Sequence, residues 1–369
     1  MIHGCASIKK PVSVHHESGG LSRKPFGVWR SAIALPTCST CSSYKGHLTY
    51  ATCLTYCQSM PPGVERRTPN AEHRTLNGEC QTPNAIQWVT GKAGEWLQGT
   101  DENGDPIVFP FTTTSSPFRT LTRIEPAPTL SIVAEPHSIA SKRKTELAVK
   151  EMAVTCGFAS DCDYRITILD SPPPGKGLGS SSVDLASALL AIKHHRNLDV
   201  SEATLFQIMC RVERSDFLFR PELIIATNPV AGSFSAVGNA PRCVLVAWDT
   251  APAEHVDTEA VRHLDLARRR FSRDYKELCS LMQSNDPAAL FHASTRSAEL
   301  NDQLLPKTGL SLAGRLADDF HALGIVAAHT GTYLGIVFPS SADQALLTSI
   351  RKKLVKELSV EPLLFEVGV

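Results

Sequence analysis

Residues 164–192 constrain this chain more than any other stretch. A strand pattern, a glycine-rich turn and a helix pattern follow one another there without a break. Tyr164 to Leu169 alternates and is β-branched at Ile166, Thr167 and Ile168, which predicts a strand. Val183 to Ile192 is rich in Ala and Leu and predicts a helix. Between them lie Gly175, Gly177 and Gly179, which let the backbone bend and let a ligand approach without a Cβ in the way. Ser180, Ser181 and Ser182 then fall at the helix start, where unpaired N–H groups and the helix dipole favour an anion. Phosphate is the obvious anion. Loop chemistry alone leaves open both a phosphate site and a turn that binds nothing. The stretch has neither the Gly-x-x-x-x-Gly-Lys-[Ser/Thr] of a Walker A loop nor the Gly-x-Gly-x-x-Gly of a dinucleotide fold.

The run Pro173-Pro174-Gly175-Lys176-Gly177-Leu178-Gly179-Ser180-Ser181-Ser182 resembles the ATP-phosphate loop of the GHMP small-molecule kinases. Their pattern is Pro-x-x-x-Gly-Leu-Gly-Ser-Ser-Ala, and Ser182 stands at the usual Ala. Two further motifs of that family lie in order around the loop. Upstream, Gly91-Lys92-Ala93-Gly94-Glu95 resembles the first motif, with Thr90 in place of its Pro. The run Gly94-Glu95-Trp96-Leu97-Gln98-Gly99 resembles the Gly-Glu-Leu-Ile-Gln-Gly of the L-threonine kinase branch. As bare residues, Lys92 and Glu95 read as surface charges on a turn. Downstream, His329-Thr330-Gly331-Thr332 resembles the third motif; taken alone it is a small-residue turn of a hairpin between Ile325–Ala328 and Leu334–Phe338.

A helix capped by Ser201, with Leu205, Ile208, Met209 and Val212 as its apolar face, leads to Glu213 and Asp216. If the helix persists, the two acids point the same way. Acids at a helix C-terminus oppose the dipole, so a purely solvated pair there is unexpected. Glu213-Arg214-Ser215-Asp216-Phe217 is similar to the Glu-x-x-Asp-Ser of the L-threonine kinase branch, with Phe217 replacing the Ser.

The resemblance spans about residues 84–369 and implies an α+β, two-lobed GHMP kinase fold. Its N-terminal lobe, ribosomal protein S5 domain 2-like, would cover 84–240; its ferredoxin-like C-terminal lobe would cover 241–369. ATP and a small-molecule substrate would meet in the cleft between them. Residues 173–182 would hold the ATP phosphates, and Ser181 and Glu213 would hold Mg²⁺. Asp216 would accept the proton of the attacking hydroxyl, and Lys92 would help polarise it. Glu95 and the loop His329, Thr330, Gly331, Thr332 would contact substrate. The implied activity is phosphorylation of L-threonine to O-phospho-L-threonine, in cobalamin salvage. A kinase for homoserine or a sugar, a decarboxylase of the diphosphomevalonate type, and an inactive ligand sensor on the same fold stay open.

Residues 1–83 differ from the rest. They are rich in Ser, Thr, Pro, His and Cys and show no sustained apolar period. Cys38-x-x-Cys41 and Cys53-x-x-x-Cys57 are irregular spacings for zinc, so the segment is read as a disordered, Cys-rich extension. The chain has eleven cysteines, an odd number, without a disulfide framework, and Met1 to Lys10 holds no signal-peptide core. No apolar run approaches the ~20 residues of a membrane helix. The formal net charge of zero gives no pull towards nucleic acid or an anionic membrane. These features predict a cytoplasmic enzyme; the oligomeric state is not encoded in them.

Overall fold

The strand predicted at Tyr164–Leu169 forms and extends to Asp170, and the helix behind the glycine-rich turn starts at Ser180. The computed structural model describes residues 85–368, except 102, 135–141, 160–163, 221, 229–231, 258–259, 261–262 and 285. The extension expected over 1–83, with its Cys38, Cys41, Cys53 and Cys57, lies outside the described residues.

In chain order the elements begin with β1 (Ala85–Thr90), β2 (Lys92–Thr100), β3 (Pro106–Thr112), β4 (Arg119–Pro126) and β5 (Ser131–Ala134). Helix α1 (Lys142–Cys156), β6 (Tyr164–Asp170), α2 (Ser180–His195) and α3 (Glu202–Val212) follow. Next come β7 (Glu222–Asn228), β8 (Ser233–Asn239), β9 (Cys243–Asp249) and α4 (His263–Arg268). The chain continues with α5 (Ser272–Met282), α6 (Pro287–Asp302), α7 (Leu310–Asp319), β10 (Gly324–Ala327), β11 (Tyr333–Pro339), α8 (Gln344–Leu358) and β12 (Leu363–Val367).

The strands build two sheets. The smaller has the order β1-β4-β6-β5, with β5 and β6 parallel and the other pairs antiparallel. Helix α2 packs on β1 and β4. Its Leu185, Leu189 and Ile192 share a core with Ile124 and Ile166 of the sheet, Met152 of α1, and Leu205, Ile208 and Met209 of α3. The cap predicted at Ser201 forms, its hydroxyl accepting from the Thr204 N–H at 3.1 Å.

The larger sheet has the order β12-β9-β11-β10-β2-β3-β7-β8. It is covered on both faces, as alternate residues of β9 show. Leu245 and Ala247 face a core with Phe111, Tyr275 and Phe291; Val246 and Trp248 face another with Leu316 of α7 and Ile350 of α8. Strands from before and after residue 240 therefore share one sheet, joined where Ala327 of β10 pairs with Glu95 of β2. Among the described residues, the regions expected as two lobes share this sheet and a core.

Five elements differ from the sequence reading. Helix α3 stops at Val212, and Glu213 is extended at φ −156° and ψ 167°, so Glu213 and Asp216 are not on a helix. The sequence from Ser311 to Leu323 reads as a helix, and helix α7 ends earlier, at Asp319. Strands β5, β7 and β8 form where no element was predicted. Among the described residues, no helix is long and apolar enough to cross a membrane.

Candidate active site

The chain changes sheets at Gly91, between β1 and β2, and this brings Lys92 inwards. All of β2 is buried, Lys92 and Glu95 included, so neither is the surface charge that the bare residues suggested. Positions three apart on a regular strand face opposite sides. Here the β2–β3 register shifts between Lys92 and Glu95, and Gly94 takes φ +83°. An added Cβ at Gly94 would meet the Ala327 carbonyl carbon at 2.8 Å, so both conformation and space require glycine. The irregularity turns Lys92 and Glu95 towards each other, and they form an ion pair.

Lys92 also pairs with Asp216, Nζ to Oδ2 2.8 Å. Burial pushes the Lys92 ammonium down, but Asp216 and Glu95 outweigh it and hold it above the ordinary lysine value. Burial pushes the Glu95 carboxyl up, and Lys92 and His329 more than reverse this, leaving it well below the usual carboxylate range. The backbone N–H of His329 donates to Glu95 Oε2 at 2.7 Å.

Three motif segments are knitted together through their backbones. The Lys92 N–H donates to the Leu178 carbonyl at 3.1 Å and the Gly94 N–H to the Gly177 carbonyl at 3.1 Å. The Thr332 and Tyr333 N–H groups both donate to the Lys176 carbonyl, at 3.1 and 3.2 Å. A Cβ at Gly331 would lie 2.1 Å from the Gly177 nitrogen, so the two loops touch only because glycine is there. The 173–182 and 329–332 loops thus lie against each other and against the start of β2.

They border a cavity of about 420 Å³. Pro174, Gly175, Gly177, Gly179, Ser180, Ser181 and Ser182 line it, with Lys92, Glu95, Glu213, Asp216 and Thr330. Gly179 is the left-handed N-cap of α2, which presents its serine turn to the cavity. Ser182 is engaged elsewhere: its hydroxyl accepts the Asp216 N–H at 3.1 Å and ties the 213–217 segment to α2.

Two oxygens there find no hydrogen-bond partner among the described residues although they are buried: Ser181 Oγ and Glu213 Oε1. The other Glu213 oxygen pairs with Lys144 of α1. A hydroxyl and a carboxylate oxygen, both hard donors, suit a hard cation such as Mg²⁺, and unpartnered buried oxygens are what its removal would leave.

Several expected residues are placed otherwise. Leu178 is in the core, and Pro173 does not line the cavity. The Lys176 side chain is not among the groups that line the cavity. It pairs with Asp249 at 2.8 Å and donates to the carbonyls of Ala251, Pro252 and Glu254 at 2.8, 3.1 and 2.6 Å. It therefore fastens the 251–256 segment to the loop. His329 is fully buried, and burial lowers its pKa, leaving a neutral ring. Its Nδ1 faces only acceptors, Ala327 O at 3.0 Å and Glu95 Oε2 at 3.3 Å, so it donates there. Its Nε2 then accepts from the Ser297 hydroxyl at 2.8 Å. His329, Gly331 and Thr332 are all buried beneath the cavity, and Thr330 alone of that loop lines it.

The sequence reading also missed residues that line the cavity: Gln98, Lys144, Asp184, Arg214, Asp265 and Arg268. Asp184 had a legible signal, a lone carboxylate inside the apolar run Val183–Ile192. Gln98 and Arg214 lie inside the motif runs around Glu95 and Glu213 but are not singled out there; Lys144, Asp265 and Arg268, on α1 and α4, carry no local pattern.

Residues 143–217 match the family described as GHMP kinases N terminal domain. The L-threonine kinase of Salmonella typhimurium (strain LT2) is 25% identical over 181 residues, covering 47% of this chain and 60% of that protein. The chain thus spans about 60% of the length of that relative. A mevalonate kinase crystal structure superposes with a TM-score of 0.59 at 13% identity, over 77% of this chain and 99% of the other. A homoserine kinase from Cytophaga hutchinsonii superposes with a TM-score of 0.53 at 12% identity, over 81% and 98%.

Proposed function

We propose that this chain is a GHMP kinase that transfers the γ-phosphoryl group of ATP to the hydroxyl of a small molecule, L-threonine being the first choice; the match of residues 143–217 to the GHMP kinases N terminal domain and the likeness to L-threonine kinase support it. The observation that carries this reading is the meeting of Lys92, Ser181, Glu213 and Asp216, from separate stretches of sequence, on one cavity.

Phosphoryl transfer needs alignment and charge neutralisation more than covalent chemistry. The Ser180–Ser182 turn at the α2 N-terminus receives the ATP phosphates on its backbone N–H groups. Ser181 Oγ and Glu213 would hold Mg²⁺, and the chemistry it would supply is neutralisation of charge on the phosphates. The substrate oxygen attacks the γ-phosphorus, the bond to ADP breaks, and Asp216 takes the hydroxyl proton. Lys92 orients the Asp216 carboxylate and favours the developing alkoxide. Glu95 and His329 act one step back, fixing the position of Lys92.

L-Threonine is favoured by the resemblance around Gly94–Gly99 and Glu213–Asp216 and by the relative from Salmonella. An inactive sensor is disfavoured by the unpartnered oxygens of Ser181 and Glu213. O-Phospho-L-threonine made in the cytoplasm for cobalamin salvage is the physiological product that this reading implies. Coupled measurement of ADP release with L-threonine, L-serine, L-homoserine and D-galactose tests it. ADP release stimulated by L-threonine is expected; release stimulated by none of the acceptors would remove the kinase reading.

A further inference from the structure

The cavity carries positively charged groups that the phosphoryl-transfer machinery does not use. Arg214 lies between Glu213 and Asp216 in sequence and lines the cavity, as does Arg268 at the end of α4. Asp265 spans them. Its Oδ2 accepts from Arg214 Nη1 at 2.7 Å and its Oδ1 from Arg268 Nη1 at 2.6 Å. Two guanidinium groups therefore share one carboxylate.

Arg268 is fixed. Its Nη2 donates to Asn301 Oδ1 at 3.1 Å and to the His329 carbonyl at 3.3 Å, with Tyr275 beside it. Arg214 is not fully engaged: its Nη2 is buried and finds no partner among the described residues. A guanidinium carries five N–H donors and no acceptor, and a buried charged donor left unmade costs more than an ordinary lost hydrogen bond. The group that satisfies it must be an acceptor, and a negatively charged one would also offset the second guanidinium charge that Asp265 alone leaves.

The subsite is also next to the reacting centre. Arg268 holds the His329 carbonyl, the His329 N–H holds Glu95, and Glu95 pairs with Lys92, which pairs with Asp216. The phosphates of ATP already have the serine turn of α2. The remaining anion in the reaction is one on the acceptor molecule.

We propose that Arg214, with Arg268 and Asp265 setting its position and charge, binds the carboxylate of the acceptor substrate. The acceptor is then a hydroxy acid or hydroxy amino acid and not a neutral sugar. This deepens the kinase reading and rests on it for the identity of the reaction. The carboxylate makes charge-assisted hydrogen bonds to the fork of Arg214 and offsets the second guanidinium charge. Its hydroxyl is left free to face Asp216.

The test is calorimetric titration of the full-length protein, loaded with Mg²⁺ and a non-hydrolysable ATP analogue. The probes are L-threonine, L-homoserine, their carboxamides and D-galactose. The expected result is that at least one acid binds roughly 10- to 100-fold more tightly than its carboxamide. R214Q removes that preference without changing affinity for the ATP analogue, and R214K, which keeps the charge but loses the fork, falls between. Wild-type binding of acid and carboxamide alike, binding of D-galactose alone, or binding of none of the acids would overturn the proposal. So would an R214Q variant that loses only nucleotide affinity, since the guanidinium would then serve a phosphate. Should R214Q fail to fold, the wild-type comparison of acid with carboxamide decides. ADP release measured in parallel tests the kinase reading separately: a carboxylate preference without ADP release keeps the subsite and removes the kinase.

Discussion

Lys92 Nζ lies 2.8 Å from Asp216 Oδ2 and simultaneously pairs with Glu95, so one buried ammonium serves two carboxylates from distant parts of the chain. The arrangement separates the two acids by function. Glu95 is enclosed, with its second oxygen taken by the His329 N–H. Asp216 lines the cavity. Replacing Asp216 by Asn keeps the size and removes the proton acceptor. The expected outcome is a fall in kcat of ~10²–10⁴-fold with little change in ATP affinity. The variant should also melt near the wild type, because Lys92 retains Glu95. Lys92→Met should behave differently, leaving two carboxylates without their cation and costing about 3–5 kcal/mol in urea unfolding. Near-normal turnover by D216N on every substrate that is phosphorylated would take Asp216 out of the mechanism and leave a kinase that works by positioning.

Ser181 Oγ and Glu213 Oε1 are expected to act together on the cation, because each is a buried oxygen without a partner among the described residues. Ser181→Ala and Glu213→Gln should leave nucleotide affinity in the presence of a chelator unchanged. They should weaken the added affinity that Mg²⁺ or Mn²⁺ confers by at least the ~10-fold that losing even an outer partner of a metal costs. Mn²⁺ binding followed by electron paramagnetic resonance gives a readout independent of turnover. An unchanged metal increment in both variants would remove this pair as ligands.

What was legible in the sequence, and what was not, follows from the range of the forces involved. Strand β6, the glycine turn and α2 rest on local preferences, and so does the Ser201 cap; all formed near their expected limits. Lys92 and Glu95 resisted a local reading. Strand β2 lies inside an eight-stranded sheet covered on both faces, so its sequence does not alternate. Its charges are compensated by Asp216 and His329, more than a hundred residues away. Glu213 and Asp216 were legible as a pair but not in conformation, since the end of α3 at Val212 is set by tertiary contacts such as that of the Asp216 N–H with Ser182. The family motif marked His329 but carried no information on its burial. Arg268, Asp265 and Arg214 form a cluster only after folding, and nothing in the order of the residues announces it.

Lys176 tests the difference between a phosphate ligand and a fastener. Its ammonium holds Asp249 and three carbonyls of the 251–256 segment, and the Val256 N–H donates to the Gly175 carbonyl at 3.3 Å. Lys176→Met should cost roughly 1–3 kcal/mol, because it leaves acceptors unmade. Hydrogen exchange at the Val256 amide should accelerate as the segment loosens. Nucleotide affinity should stay near the wild-type value in protein that remains folded. A large loss of nucleotide affinity at unchanged stability would mean that the ammonium reaches the phosphates after all.

Asp184 carries a pH dependence whose sign the surroundings determine. Its Oδ1 accepts from Thr120 Oγ1 at 2.6 Å and from Ser171 Oγ at 2.8 Å, and its carboxyl borders the cavity near Glu213. Burial pushes its pKa up from the ordinary 3.8 to about 6, against the pull of those two hydroxyls. A pKa raised on folding means that the folded state holds the proton more tightly than the unfolded chain does. The stability it contributes is therefore complete below the ordinary aspartate value and is lost as pH rises through about 6. Asp184→Asn keeps the accepting oxygen and has no proton to lose. In paired urea melts, wild type and D184N should match most closely near pH 4. The variant should then gain on the wild type up to about pH 7, by ~3 kcal/mol in all. Mg²⁺ at neutral pH should narrow the gap, since a cation held by Ser181 and Glu213 would favour the ionised carboxylate nearby. A difference between the two proteins that stays flat from pH 4 to pH 7 would show that the carboxyl is ionised throughout, and that the cavity around α2 is far better solvated than its hydrogen bonds imply.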